Sequence, residues 1–120
     1  MINQTVLVGR LVSDPEIIEL EDGNKVSNIT LAVSRPYKNS EGVYETDFIK
    51  CTLWKGVAEN TAEYCKKGDM IAIRGRLQTN SYENKETGQK VNELKVVAER
   101  LTFLSSRQHS HSKNEQEMAR

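Results

Sequence analysis

The chain has 120 residues, enough for one domain with a modest core and too few for a large enzyme. Its 17 Lys and Arg balance 17 Asp and Glu, with 28% of residues charged and 37% hydrophobic. That balance excludes a generic polycation and is ordinary for a globular chain rather than a disordered or membrane-inserted one.

In chain order, strand-like runs rich in Val, Ile, Leu, Thr and aromatics cover about 3–12, 26–35, 43–54, 70–82 and 91–104. Reversals are expected at Asp14-Pro15, Asp22-Gly23-Asn24, Lys38-Asn39-Ser40-Glu41-Gly42 and Thr87-Gly88. Between the third and fourth runs, VAENTAEYCKKG predicts a short helix, with Val57, Thr61, Tyr64, Ala58, Ala62 and Cys65 along one broad side. Gly68 is expected as its left-handed C-cap, with Lys66 and Lys67 at the favourable dipole end. Five antiparallel strands with one helix between the third and fourth predict an all-β fold, a five-stranded Greek-key barrel of the OB type. After Leu104 the composition turns polar, so the expected division is a domain over 1–104 and a flexible tail over 105–120.

The neutrality belongs to the domain itself, because 1–104 holds 14 basic and 15 acidic residues. Their placement is uneven. DPEIIELED at 14–22 carries five acids and no base, whereas 66–82 carries four bases against Asp69.

Side chains alternate between the two faces of a strand. In the third run Ile49, Cys51 and Leu53 form an inward set, and Tyr44, Phe48, Lys50, Thr52 and Trp54 mix aromatics with a cation on the outer face. The fourth run repeats this, with Ile71, Ile73, Gly75 and Leu77 inward and Arg74, Arg76, Gln78, Asn80 and Tyr82 outward. In the second, Ile29, Leu31 and Val33 point in, and the outer face of Asn28, Thr30, Ala32 and Ser34 is small and polar before Arg35-Pro36-Tyr37 breaks the register. Rings interleaved with Lys and Arg on an open sheet suit a single-stranded nucleic acid, since any base can stack and cations follow phosphate. Taken singly, Phe48, Trp54 and Tyr82 fit core edges or subunit interfaces equally well. Tyr64 and Phe103 read as packing residues.

No catalytic set emerges, and neither a cofactor nor a metal is expected. His109 and His111 stand in the polar tail without an ordered ligand shell. Cys51 has core parity and Cys65 lies at a helix C-terminus, where the dipole does not favour a thiolate. Two cysteines without a CxxC, and a start, MINQTVLVGR, without secretory-signal features, point to a cytoplasmic protein with no membrane partner.

VLVGRLVSDPE, VSNITLAVSR, ETDFIKCTLWKGVAEN, AEYCKKGDMIAIRGRLQTNSYEN and VNELKVVAERLTFL, in uninterrupted order over about 1–104, resemble the bacterial single-stranded DNA-binding proteins of the SSB family, in the shorter form of Gram-positive bacteria or their phages. The resemblance implies an OB-fold homotetramer that wraps single-stranded DNA and protects it in replication, recombination and repair, without enzymatic activity. It places stacking on Tyr37, Phe48, Trp54 and Tyr82, and phosphate contacts on Arg10, Arg35, Lys50, Lys55, Lys66, Arg74 and Arg76. The strand around 2–10 corresponds to the family's dimer-forming edge. The sequence ends EQEMAR, without the acidic, Pro-Phe-terminated tip through which family members recruit replication and repair proteins, so recruitment is not an expectation here. An assembly module with its aromatics buried between subunits, and an RNA-binding OB domain, are the competing readings.

Overall fold

A computed structural model describes residues 1–106; the expected tail beyond Ser106, with His109 and His111, lies outside the described residues. The elements are β1 (Thr5–Leu11), β2 (Ile18–Glu19), β3 (Lys25–Lys38), β4 (Tyr44–Trp54), α1 (Lys55–Tyr64), β5 (Met70–Glu83) and β6 (Lys90–Ser105). The strands run β1-β5-β6-β4-β3-β2 across the sheet, and β1 also pairs with β3, which closes the barrel. All pairings are antiparallel except β4 with β6, where Cys51, Thr52 and Leu53 face Val96, Val97 and Ala98 in parallel. The five long strands form the barrel expected of an OB-fold. The two-residue β2 adds an edge to β3, and the helix falls between β4 and β5, the third and fourth long strands.

Parity fixes the core. Ile29, Leu31, Cys51, Leu53, Ile71 and Ile73 are buried together with Leu11, Val96 and Ala98, and Ala58 and Cys65 are packed against them. Val33 and Ile49 pack on this cluster from its rim.

Three local expectations are corrected. First, α1 ends at Tyr64, and Cys65 caps it in an extended conformation, so Gly68 is not the C-cap and no base lies in the last turn. Carboxylates draw the chain out of the helix early: Asp69 Oδ2 accepts the Lys66 N–H at 2.8 Å and Asp14 Oδ1 accepts the Lys67 N–H at 2.7 Å. Gly68, at φ +90, instead turns the chain so that its N–H reaches the Leu11 carbonyl at 2.8 Å. Second, Tyr64 and Phe103 are exposed, at 68% and 44%, because the helix meets the barrel through its small residues Ala58 and Thr61. The two rings line one open cavity with Val57 and Leu101. Third, Thr52 is buried and its hydroxyl donates to Asn28 Oδ1 at 3.0 Å, whereas Leu77 is exposed on the barrel rim, because β1 pairs with β5 only as far as Gly75, and it lines an open cavity with Leu7, Ile49 and Val96.

Candidate nucleic-acid interface

The registers assemble an outer face that spans four strands. Across β3 and β4, Phe48 is opposite Ala32, Lys50 opposite Thr30, Thr52 opposite Asn28 and Trp54 opposite Val26. Every bulky member of that row comes from β4 and its neighbours on β3 are smaller, so the rings and the lysine stand clear of the sheet. On the other flank, Thr52 meets Val97 of β6, and β6 carries the face on to β5: Val97 is opposite Arg76, Lys95 opposite Gln78, Glu93 opposite Asn80 and Val91 opposite Tyr82.

Two aromatic ends and a polar middle result. Phe48 and Trp54, six residues apart on one strand, are separated by about 20 Å. Between them runs a groove lined by Asn28, Thr30, Lys50, Thr52, Glu93 and Lys95. Tyr82 stands near the far end of the β5–β6 hairpin. Phe48 is 66% exposed, Tyr82 53% and Trp54 38%, so all three offer ring surface to solvent. Arg76 Nη2 donates to Gln78 Oε1 at 3.3 Å, and the Asn80 amide, with its oxygen turned to the ammonium, accepts from Lys95 Nζ at 3.2 Å. These bonds aim cations along the face. Lys50, Lys95 and Arg76 stand there against one carboxylate, Glu93, so the local balance is positive where the whole chain is neutral. Such a surface can stack flat rings and neutralise a run of phosphates.

The expected residues do not all share this face. Phe48, Lys50, Trp54, Arg76 and Tyr82 do. Lys55 follows Trp54 directly, in a left-handed conformation of φ 51 that turns the strand into the helix. Arg10 is half-buried and Nη1 donates to the Gly68 carbonyl at 3.0 Å, which ties β1 to the turn after the helix. Arg74 is opposite Arg100 and Val6, on the part of β5 paired with β1. Lys66 is in the turn after the helix, exposed. Tyr37 is 62% exposed, in the irregular stretch of β3 between Ser34 and Lys38. Arg35, in the same stretch, is engaged by Asp47 and Glu45.

Hydrogen bonding to Asp47 raises the Arg35 guanidinium above its ordinary value, helped by the two carboxylate charges. Reciprocally, the bond from Arg35 holds the Asp47 carboxyl below the usual carboxylate range. A depressed carboxyl contributes its stabilisation above the unfolded-state value and loses it as pH falls through the folded one, so this pair is intact at neutral pH. Burial pushes the Cys51 thiol up to about 11, which keeps it protonated and unreactive at neutral pH. Burial, then the Asp69 charge, also raises Cys65.

Lys95 is absent from the cations expected from the sequence. Its signal is the alternation Val91, Glu93, Lys95, Val97 on β6, but only the pairing of β6 between β4 and β5 brings that row beside Lys50.

The profile of the Single-strand binding protein family matches residues 2–104. The chain is 47% identical over 104 residues to single-stranded DNA-binding protein B of Bacillus subtilis, covering 87% of this chain and 91% of that protein. It is 49% identical over 107 residues to the single-stranded DNA-binding protein of Halalkalibacterium halodurans, covering 89% of this chain and 63% of that one. With single-stranded DNA-binding protein 1 of Lactococcus lactis it shares 48% over 106 residues, 88% of this chain and 70% of the relative. A profile match over nearly the whole described domain, on a barrel of the expected order, establishes that the chain belongs to the Single-strand binding protein family.

Proposed function

We propose that this protein binds single-stranded DNA without sequence preference, on the outer face of β4, β6 and β5, and that it acts by coating rather than by catalysis. The observation that carries the reading is the row Phe48–Lys50–Thr52–Trp54 set beside Lys95 and Arg76. Stacking on these rings contributes about 1–3 kcal/mol per base and is indifferent to base identity. Preferential binding of the unpaired strand then removes secondary structure by mass action. The names of the relatives support the same ligand. The cellular setting is the cytoplasm, on DNA exposed in replication, recombination and repair.

A homotetramer completes the reading. Val6 and Val8 of β1 are exposed, and β1 pairs with β3 only at Arg10 and Leu11, so the first part of its edge is open to a second copy by strand addition. Light scattering on the protein without DNA should give the mass of four chains; a monomer or dimer would refute the tetramer.

Salt dependence tests the lysines. Each neutralised phosphate of a single strand adds about 0.7 to the slope of log affinity against log salt. Lys50→Gln and Lys95→Gln should each lower the slope by about 0.7 with oligo-dT, while Lys66→Gln, outside the face, should leave it unchanged. Unchanged slopes for both face variants would move the DNA path off this groove.

A further inference from the structure

The β3–β4 ladder is regular from Val26 opposite Trp54 to Ser34 opposite Thr46, then resumes at Lys38 opposite Tyr44. Arg35, Pro36 and Tyr37 therefore face Glu45 alone. Pro36 has no N–H to offer the ladder, and an irregular stretch of this kind lacks regular cross-strand pairing. A side-chain network spans the gap instead. Arg35 Nε donates to both Asp47 carboxylate oxygens at 3.2 Å, and Nη2 to Oδ1 at 2.9 Å. Nη1 donates to Glu45 Oε2. Glu45 Oε1 accepts from Asn39 Nδ2 at 3.3 Å, and Asn39 Oδ1 in turn accepts the N–H groups of Glu41 and Val43 at 2.9 and 3.0 Å. The chain of bonds runs from the regular part of β4, through Arg35, into the hairpin turn. Tyr37 is enclosed by it in sequence.

Two carboxylates on one guanidinium leave the cluster with a net charge of minus one. A phosphate approaching Arg35 meets an occupied donor fork and a net negative neighbourhood. The geometry points to a different assignment from a phosphate ligand: Asp47 and Glu45 use Arg35 as a strap that sets the bulge, and they are positioning residues for the Tyr37 ring. This rests on the single-stranded DNA reading above, takes Tyr37, 62% exposed in this stretch, as a further stacking ring beyond the face of β4, β6 and β5, and assigns to these two acids a part in it.

The test is a double-mutant cycle in oligo-dT binding with Asp47→Asn, Tyr37→Ala and the pair together. Asp47→Asn should weaken binding about three- to tenfold, with the salt slope unchanged and the thermal midpoint little altered, as expected for an exposed ion pair. In the Tyr37→Ala background the same substitution should have no further effect. Glu45→Gln, more peripheral and exposed, should repeat the pattern with a smaller loss, and serves if Asp47→Asn folds poorly. Tighter binding by Asp47→Asn with a slope steeper by about 0.7 would make Arg35 a restrained phosphate ligand and overturn the positioning role. An equal loss in the Tyr37→Ala background would overturn it as well. A wild-type protein that fails to bind oligo-dT would instead refute the DNA reading itself, and the two failures are told apart by which protein fails.

Discussion

Replacing Trp54 by alanine should weaken binding of oligo-dT by about 1–3 kcal/mol, roughly 5- to 150-fold in Kd, while leaving the barrel folded. The ring ends β4 and is 38% exposed, so the substitution removes a stacking surface more than a core residue. Trp54 also precedes α1, but its side chain makes no capping hydrogen bond, and no cap is lost with it. Phe48→Ala should show a similar loss of binding at still lower cost to stability, since Phe48 is the more exposed of the two and its cross-strand neighbour is the small Ala32. Because the rings lie about 20 Å apart, their effects on a strand long enough to reach both should add. Fluorescence anisotropy of labelled oligo-dT measures binding, and thermal unfolding of the same samples reports stability. A Trp54→Ala protein that binds as tightly as wild type would remove this ring from the interface.

The largest effect on stability is expected at Gly75. A Cβ built there falls 2.0 Å from the Val97 carbonyl oxygen, 2.9 Å from its carbon and 3.1 Å from Ala98 Cα. All three are backbone atoms within the β5–β6 ladder, at the point where the register skips Glu99, so no side chain can swing aside. Relief requires the strands to part at the place where the barrel passes into the hairpin. Overpacking costs about 1–3 kcal/mol and occasionally more, and each kcal/mol lowers Tm by roughly 4–8 °C in a domain of this size. Gly75→Ala should therefore lower the midpoint by about 10 °C or more. Gly56→Ala is the control. A Cβ at Gly56 meets nothing within 4 Å, and alanine is favoured over glycine inside a helix by about 1 kcal/mol, so that variant should be at least as stable as wild type. Equal midpoints for the two variants would contradict the close approach at Gly75.

Much of the barrel is legible in the sequence because its core rests on local alternation. Ile29, Leu31, Cys51, Leu53, Ile71 and Ile73 can each be assigned a face from their own strand. What escapes is set by distant partners. Leu77 has inward parity but stands at the barrel rim, past the last pairing of β1 with β5 at Gly75, and Thr52 has outward parity but is covered between Asn28 and Val97. The helix ends early because Asp14 and Asp69 capture two backbone N–H groups, and Asp14 is far away in the chain.

The candidate interface divides in the same way. Phe48, Lys50 and Trp54 fall into one row on β4, and Arg76 and Tyr82 into another on β5, by counting residues in twos. That the rows belong to one surface depends on β6 lying between them, and Lys95 enters the site only through that pairing. Arg10, Arg35 and Arg74 show the converse. A cation is easily read from sequence, but its surroundings are not: Arg10 donates to the Gly68 carbonyl, Arg35 is paired with Asp47 and Glu45, and Arg74 is on the part of β5 paired with β1. The neutral total likewise conceals a face with three cations to one carboxylate.

The central claim is that this face stacks unpaired bases, and Trp54, the only tryptophan of the chain, reports on it directly. Wild-type protein titrated with oligo-dT should show saturable quenching of Trp54 fluorescence that persists in the presence of excess duplex DNA. An unquenched tryptophan with no binding by anisotropy, or displacement by duplex as effective as by single strand, would contradict the account.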